Sequence, residues 1–181
     1  MQTIGIFLSG GLDSAILAAL LKKDYNVNAY CFNQANALTF AHKISEILHL
    51  PLTEIHIDIN NDRNELQRAL AVVDKFKKDE DTFYIAVTAI PDIKFSVPHD
   101  IPNRPTKEEI ETNTGLKAPF ADITKDIVLN IGLNEVKEIN KLIKYSHSCY
   151  NTNGIRCGKC FNCEERAWAF SELNVIDTGY Y

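Results

Sequence analysis

The chain has 181 residues, a net charge of −5, and 45% hydrophobic against 24% charged residues. That length predicts one domain over residues 1–181 with a proper core, and the composition is that of a soluble globular protein. The acidic balance argues against a broad nucleic-acid or anionic-membrane surface, no apolar run reaches the ~18 residues of a membrane span, and the N-terminus lacks the charged and apolar regions of a signal peptide, so a cytoplasmic protein is expected.

Residues 3–8 ("TIGIFL") form an apolar run suited to a buried parallel strand. A helix is expected from Asp13, with Ile16, Leu17, Leu20 and Leu21 on one face. Residues 27–32 read as a second strand and 37–48 as a second amphipathic helix, through Leu38, Ala41, Ile44 and Leu48. Residues 52–59 ("LTEIHIDI") alternate like a strand, residues 62–77 carry apolar side chains at helical spacing, and 82–87 ("TFYIAV") read as a fourth strand. Strand and helix alternate from the start, which predicts parallel strands joined by right-handed crossovers. The fold class is therefore α/β, a doubly wound parallel sheet with helices on both faces.

The next stretch is irregular. Residues 88–116, with the nearby Pro119, hold five prolines, and only a short helix around 106–112 is expected there. So long a segment without a core pattern is usually functional or disordered. "DITKDIVLNIGL" (122–133) and "NEVKEINKLI" (134–143) read as two helices, the first capped by Asp122 or Thr124, and "CEERAWAFSEL" (163–173) as a closing one.

"SGGLDS", residues 9–14, lies between the first strand and its helix. In an open α/β sheet, ligands bind where strands end and helices begin. Glycines let backbone N–H groups converge, and the helix adds unsatisfied N–H groups and a positive dipole end. With the hydroxyls of Ser9 and Ser14, this is a cradle for an oxyanion, best suited to phosphate. It lacks the lysine of a P-loop and the GxGxxG of a dinucleotide fold. Asp13 would repel a phosphate unless Mg²⁺ stood between them. The plainer alternative is a tight turn with Asp13 or Ser14 as helix cap.

The loop resembles the SGGxDS motif of the PP-loop ATP pyrophosphatases, which share the adenine-nucleotide α-hydrolase-like fold. The resemblance implies cleavage of ATP between its α- and β-phosphates, transfer of AMP to a substrate oxygen, and release of pyrophosphate. Leu8, Ser9, Gly10, Gly11, Leu12, Asp13 and Ser14 would then hold ATP, with Asp13 placing Mg²⁺.

Cys149, Cys157, Cys160 and Cys163 read C-x7-C-x2-C-x2-C. Four thiolates suit tetrahedral Zn²⁺, and "CGKC" supplies a sharp turn at Gly158. Four ligands leave no open position, so the zinc, held by segment 146–173, is expected to be structural. An iron–sulfur cluster is the rival reading. Cys31, inside a strand, reads as a small core residue, and His147 as a neighbour of the site rather than a ligand.

The loop and the cysteines together resemble the 7-cyano-7-deazaguanine synthase family, which serves queuosine and archaeosine biosynthesis. "LKAPFADITKDIV", "SCY…CGKCFNCEER", "DRN" (62–64), "IAVTAIPD", "FSVP" and Asp100 are similar to the family's motifs. One departure is plain: after the second strand the family carries Tyr-Gly-Gln, then a histidine and a glutamate, whereas "CFNQANALTFAH" retains only the glutamine. The resemblance implies that 7-carboxy-7-deazaguanine is adenylated, attacked by free ammonia to give an amide, and activated again by ATP to leave the nitrile. It also implies a homodimer, adenine read near Tyr30 and Phe32, Arg63 and Lys125 steadying phosphates or carboxylate, and Asp92 or Asp100 accepting from the guanine-like edge. An amide-forming variant, a tRNA-modifying PP-loop enzyme and a non-catalytic nucleotide-binding protein are the alternatives.

Overall fold

The computed structural model describes residues 1–33, 35–56, 73–76, 82–93, 104–150 and 155–179. Four parallel strands, β1 (Thr3–Phe7), β2 (Asn26–Phe32), β3 (Leu52–Ile55) and β4 (Phe83–Tyr84), stand in the order β3–β2–β1–β4. The chain builds outward from β1 through β2 to β3, then returns to lay β4 on the other side of β1. That reversal creates a crevice at the carboxyl end of β1, where ligands of open α/β sheets bind.

Side chains alternate across β1. Ile4 and Ile6 face a large core with Ala29 and Cys31 of β2, while Phe7 faces a smaller one with Tyr30 and Phe83. The large core is closed by α1 (Leu12–Leu21), α2 (Ala35–Leu48), α4 (Lys125–Glu135) and α5 (Ile139–Tyr145). The small one receives Ile110 of α3 (Lys107–Thr114) and packs Phe7, Tyr30 and Phe83 rings 5.6–6.5 Å apart. Helices thus cover both faces, as the alternating pattern predicts. The last helix, α6 (Phe161–Glu172), packs on α4.

Three elements differ from expectation, each for a local reason. Helix α1 is buried on nearly all sides rather than along one stripe, because α4 and α5 cover the side that faces away from the sheet. Strand β4 ends at Tyr84: Ile85 N–H donates to Lys117 O (2.9 Å) and Ala89 N–H to Ile123 O (2.8 Å), so the chain leaves β1 and follows residues 117–123. Beyond Phe7 there is no ladder to join on that side, since Ser9 N–H, two residues on, is given to Ser14 Oγ (3.2 Å). Helix α5 starts at Ile139, because Val136 is extended at the end of α4.

Helix α3 sits two residues later than predicted at its end and begins with a capping box. Thr106 accepts from Glu109 N–H, and the Glu109 carboxylate accepts from Thr106 N–H. Of the helix expected over 62–77, residues 73–76 are helical and the rest lies outside the described residues, as do positions 57–59 of the third strand. No helix among the described residues is long and apolar enough to cross a membrane.

Candidate functional site

The glycine-serine loop leaves β1 after the buried Leu8 and packs against α2. Gly10 has φ +78°, and a Cβ there would lie 2.8 Å from Ala37 O and 2.9 Å from Phe40 Cβ. Only glycine fits both the left-handed backbone and that approach. Gly10 O accepts from His147 N–H (2.9 Å), which joins the loop to the segment leading into the cysteines. The two serines hold the turn's shape: Ser14 Oγ accepts from Ser9 N–H (3.2 Å) and donates to Gly11 O (3.1 Å), while Ser9 Oγ accepts from Gly11 N–H (3.3 Å). Gly11 is the N-cap of α1, and no side chain caps that end. Neither Asp13 nor Ser14 takes the capping role, so the helix presents its N–H groups to the crevice.

The crevice encloses about 670 Å³ and is walled by the loop, by Tyr30–Phe32, by residues 85–88, and by Arg104, Lys125 and the start of the cysteine segment. Its size is that of a small-molecule site. Tyr30 is buried in the aromatic cluster, and Asn33 N–H, just past Phe32, is given to Ile55 O (2.9 Å).

A chain of charges crosses the wall, with Lys125 and Glu165 buried and Asp13 and Arg104 part-buried. Lys125, at the first position of α4 and 4% exposed, donates to Asp13 Oδ2. Its Nζ also lies 3.5 Å from Glu165 Oε2, and Glu165 binds Arg104 through both oxygens, at 2.6 and 3.0 Å. The other Asp13 oxygen, Oδ1, is buried with no hydrogen-bond partner among the described residues. An unsatisfied carboxylate oxygen beside a phosphate-shaped loop is a fit for a divalent cation.

Of the predicted site residues, the fold brings Leu8, Ser9, Gly11, Asp13, Ser14, Tyr30, Phe32 and Lys125 to one cavity, whereas Gly10 is turned against α2 and the Leu12 side chain is buried in the large core. Asp92 is exposed at a bend and does not line it. Arg63 and Asp100 lie outside the described residues. Arg104 and Glu165 were not predicted. Glu165 carried a signal: with Phe161 and Ala169 it forms an i, i+4, i+8 row, and a charge on an apolar row of a helix demands a buried partner.

The four cysteines converge as their spacing predicts. Their Sγ atoms all lie within 4.8 Å of one another, and Cys160 and Cys149 are 3.8 Å apart. A tetrahedral zinc with Zn–S near 2.3 Å separates its thiolates by about 3.8 Å, so the four positions are set to hold a metal. Gly158, at φ +71°, makes the turn between Cys157 and Cys160. Cys160 is the N-cap of α6, and Cys163 sits in its first turn. The Lys159 N–H, with help from Cys149 and Cys160, brings the Cys157 thiol down to about 6, whereas burial pushes Cys163 up. His147 stands outside the group and stacks on Phe40 at 4.6 Å.

A glycine-serine cradle at the switch point of a parallel sheet, facing a part-buried acid paired with a buried lysine, defines an ATP-dependent enzyme of the PP-loop class. Residues 2–128 match the family model described as Asparagine synthase, and residues 100–174 that described as Queuosine biosynthesis protein QueC. The 7-cyano-7-deazaguanine synthase of Methanococcus maripaludis is 30% identical over 227 residues, covering 96% of each chain. That of Methanosphaera stadtmanae is 26% identical over 220 residues, again with 96% of each covered. A solved chain described as a predicted subunit of tRNA methyltransferase from Methanocaldococcus jannaschii covers 100% of this chain and 92% of its own length at TM-score 0.46 and 15% identity, too loose a likeness to add to this. The chain belongs to the 7-cyano-7-deazaguanine synthase family. Since 181 residues spread over 227 aligned positions, the Methanococcus maripaludis protein carries segments that this compact member lacks.

Proposed function

We propose that this protein converts 7-carboxy-7-deazaguanine and ammonia to 7-cyano-7-deazaguanine, consuming ATP and releasing AMP and pyrophosphate. The observation that carries this reading is the Asp13–Lys125 pair set against the loop in one cavity. ATP would lie with its outer phosphates on the N–H groups of the loop and of the first turn of α1. The Lys125 ammonium, fixed between Asp13 and Glu165, would neutralise charge that builds on the departing pyrophosphate. Mg²⁺, held at Asp13 Oδ1, would supply Lewis-acid polarisation of the phosphates.

In atoms, a carboxylate oxygen attacks the α-phosphorus and pyrophosphate leaves. Ammonia then adds to the acyl carbon, loses a proton and expels AMP, giving the amide. The amide oxygen attacks the α-phosphorus of a second ATP and pyrophosphate leaves, and loss of both N–H protons with AMP then leaves the nitrile. Arg63, Asp92 and Asp100 belong to this reading through the family resemblance alone. The cysteine site is read as structural zinc and the protein as cytoplasmic.

A second reading, an amide-forming variant, is favoured by one observation: directly after Gln34 the chain reads Ala-Asn-Ala-Leu, without the histidine and glutamate that follow the glutamine in the family. Mass spectrometry of a time course with ATP in excess separates the two. An amide that rises and then falls as the nitrile appears supports the nitrile reading, and an amide plateau supports the variant. AMP formed only with another acid or with tRNA would overturn both.

A further inference from the structure

Glu165 does not line the cavity, yet it is fully buried and touches two cations that do. Its oxygens accept from Arg104 Nη1 (2.6 Å) and Nη2 (3.0 Å), and Oε2 lies 3.5 Å from Lys125 Nζ. The three residues come from three separate elements: the segment before α3, the first turn of α4 and the second turn of α6. A two-point contact to a guanidinium fixes its plane as well as its place. Thr88 adds to this by accepting from Nη1 at its carbonyl (3.2 Å) and hydroxyl (2.9 Å), and the Phe161 ring lies 5.1 Å from the guanidinium carbon.

The way Arg104 is held leaves one side of it for something else. Glu165 takes the end of the fork, Nη1 with Nη2. Among the described residues, Arg104 bonds through Nη1 and Nη2 and not through Nε, so the Nε–Nη2 edge is the one on offer. That edge matches a planar carboxylate with two parallel bonds. Arg104 stands on the wall formed by residues 85–88, whereas Lys125 stands at the loop, so the two cations serve different parts of the cavity. Asp13 and Glu165 together balance the two cations, the buried Lys125 and the part-buried Arg104.

We propose that Glu165 is a positioning residue that aims Arg104 at the carboxylate of the second substrate and fixes that anchor relative to Lys125 at the phosphate loop. This rests on the function proposed above, with an acid as second substrate. Because Glu165 lies two residues after Cys163, the helix that carries metal ligands also sets the geometry of the reaction.

The test compares the metal-loaded wild type with Glu165→Gln, which keeps shape and removes charge. The KM for 7-carboxy-7-deazaguanine is expected to rise at least tenfold and kcat to fall at least tenfold, with the KM for ATP within threefold and metal content unchanged. Arg104→Lys should raise the KM for the acid equally, and the double variant should be no worse than either single one, as for residues acting as a unit. If Glu165→Gln does not fold, Glu165→Asp, which keeps the charge but retracts it, should raise the KM for the acid at least threefold. Wild-type KM and kcat in folded Glu165→Gln or Glu165→Asp, or an unchanged KM for the acid in Arg104→Lys, would overturn the inference alone. A wild-type chain that neither binds nor turns over the acid would overturn the proposed function and this inference with it.

Discussion

Asp13 has two oxygens with different surroundings, and the difference decides what its replacement does. Oδ2 is held by Lys125, while Oδ1 is buried without a partner among the described residues. In Asp13→Asn, Lys125 keeps Glu165 beside it, although that one carboxylate then serves Arg104 as well, and the amide oxygen of the new side chain can still accept from the ammonium. The variant should keep a far-UV circular dichroism spectrum close to wild type and yet form no measurable AMP. Full AMP release would reduce Asp13 to a structural partner of Lys125. Residues of this kind were legible in the sequence because the loop's chemistry is local: glycines at 10 and 11, hydroxyls at 9 and 14, an acid at 13. Arg104 and Glu165 were not, since they lie sixty residues apart in the chain and acquire meaning only when α6 packs against the wall of the crevice.

At the scale of elements, α6 and the segment that follows it are tied down by an ion cluster. Asp177, its side chain 7% exposed, accepts from Arg166 Nε (2.7 Å) and Nη2 (2.9 Å), from Arg156 Nη1 (2.6 Å) and from Gly179 N–H (3.0 Å). Burial pushes its carboxyl up, but the bonds and charge of Arg166, with Gly179 N–H and Arg156, outweigh it and hold it below the usual carboxylate range. A depressed value means stability that is present above the unfolded-state value and lost as pH falls through the folded one. The wild type should therefore lose part of its stability as pH falls below ~4. Asp177→Asn should cost about 3–5 kcal/mol at neutral pH, as for a broken buried pair, and show a flatter acid limb in urea titrations. A variant within about 0.5 kcal/mol of wild type, the range of ordinary surface substitutions, would show that the cluster contributes little. Strands β1 to β3 and helices α1 and α2 were read from hydrophobic patterning, but β4 was read too long. The apolar run "TFYIAV" records burial, and burial at 85–87 comes from the cavity wall rather than from a ladder with β1.

For the molecule as a whole, the metal segment and the sheet depend on each other. His147 N–H bonds to the loop at Gly10 O, Glu165 follows the ligands of α6, and Arg166 binds Ser146 Oγ (2.8 Å) at the start of the segment. A structural zinc contributes ~10–16 kcal/mol in small modules, against ~5–15 kcal/mol for the stability of a typical domain. The purified protein should carry one zinc per chain and no visible absorption, and Cys160→Ser should be insoluble or unfolded rather than folded and slow. Iron on elemental analysis, with a brown colour, would contradict this. That the strands are parallel followed from alternating elements and right-handed crossovers, and the place of the site followed from the loop after the first strand; the order β3–β2–β1–β4 was not read from the sequence. The metal site followed from spacing alone. The half of the cavity that meets the second substrate stayed illegible because prolines break its periodicity and its charges come from distant elements.

The central claim is that the substrate's own oxygen is transferred to AMP. It is tested by running the reaction with 7-carboxy-7-deazaguanine labelled with ¹⁸O at both carboxylate positions and weighing the products. Adenylation followed by attack of ammonia predicts AMP carrying one ¹⁸O for each turnover, two such AMP molecules for every nitrile, and unlabelled pyrophosphate. Unlabelled AMP, or label in inorganic phosphate or pyrophosphate, would contradict the account, because the acid would then never have been joined to the α-phosphate.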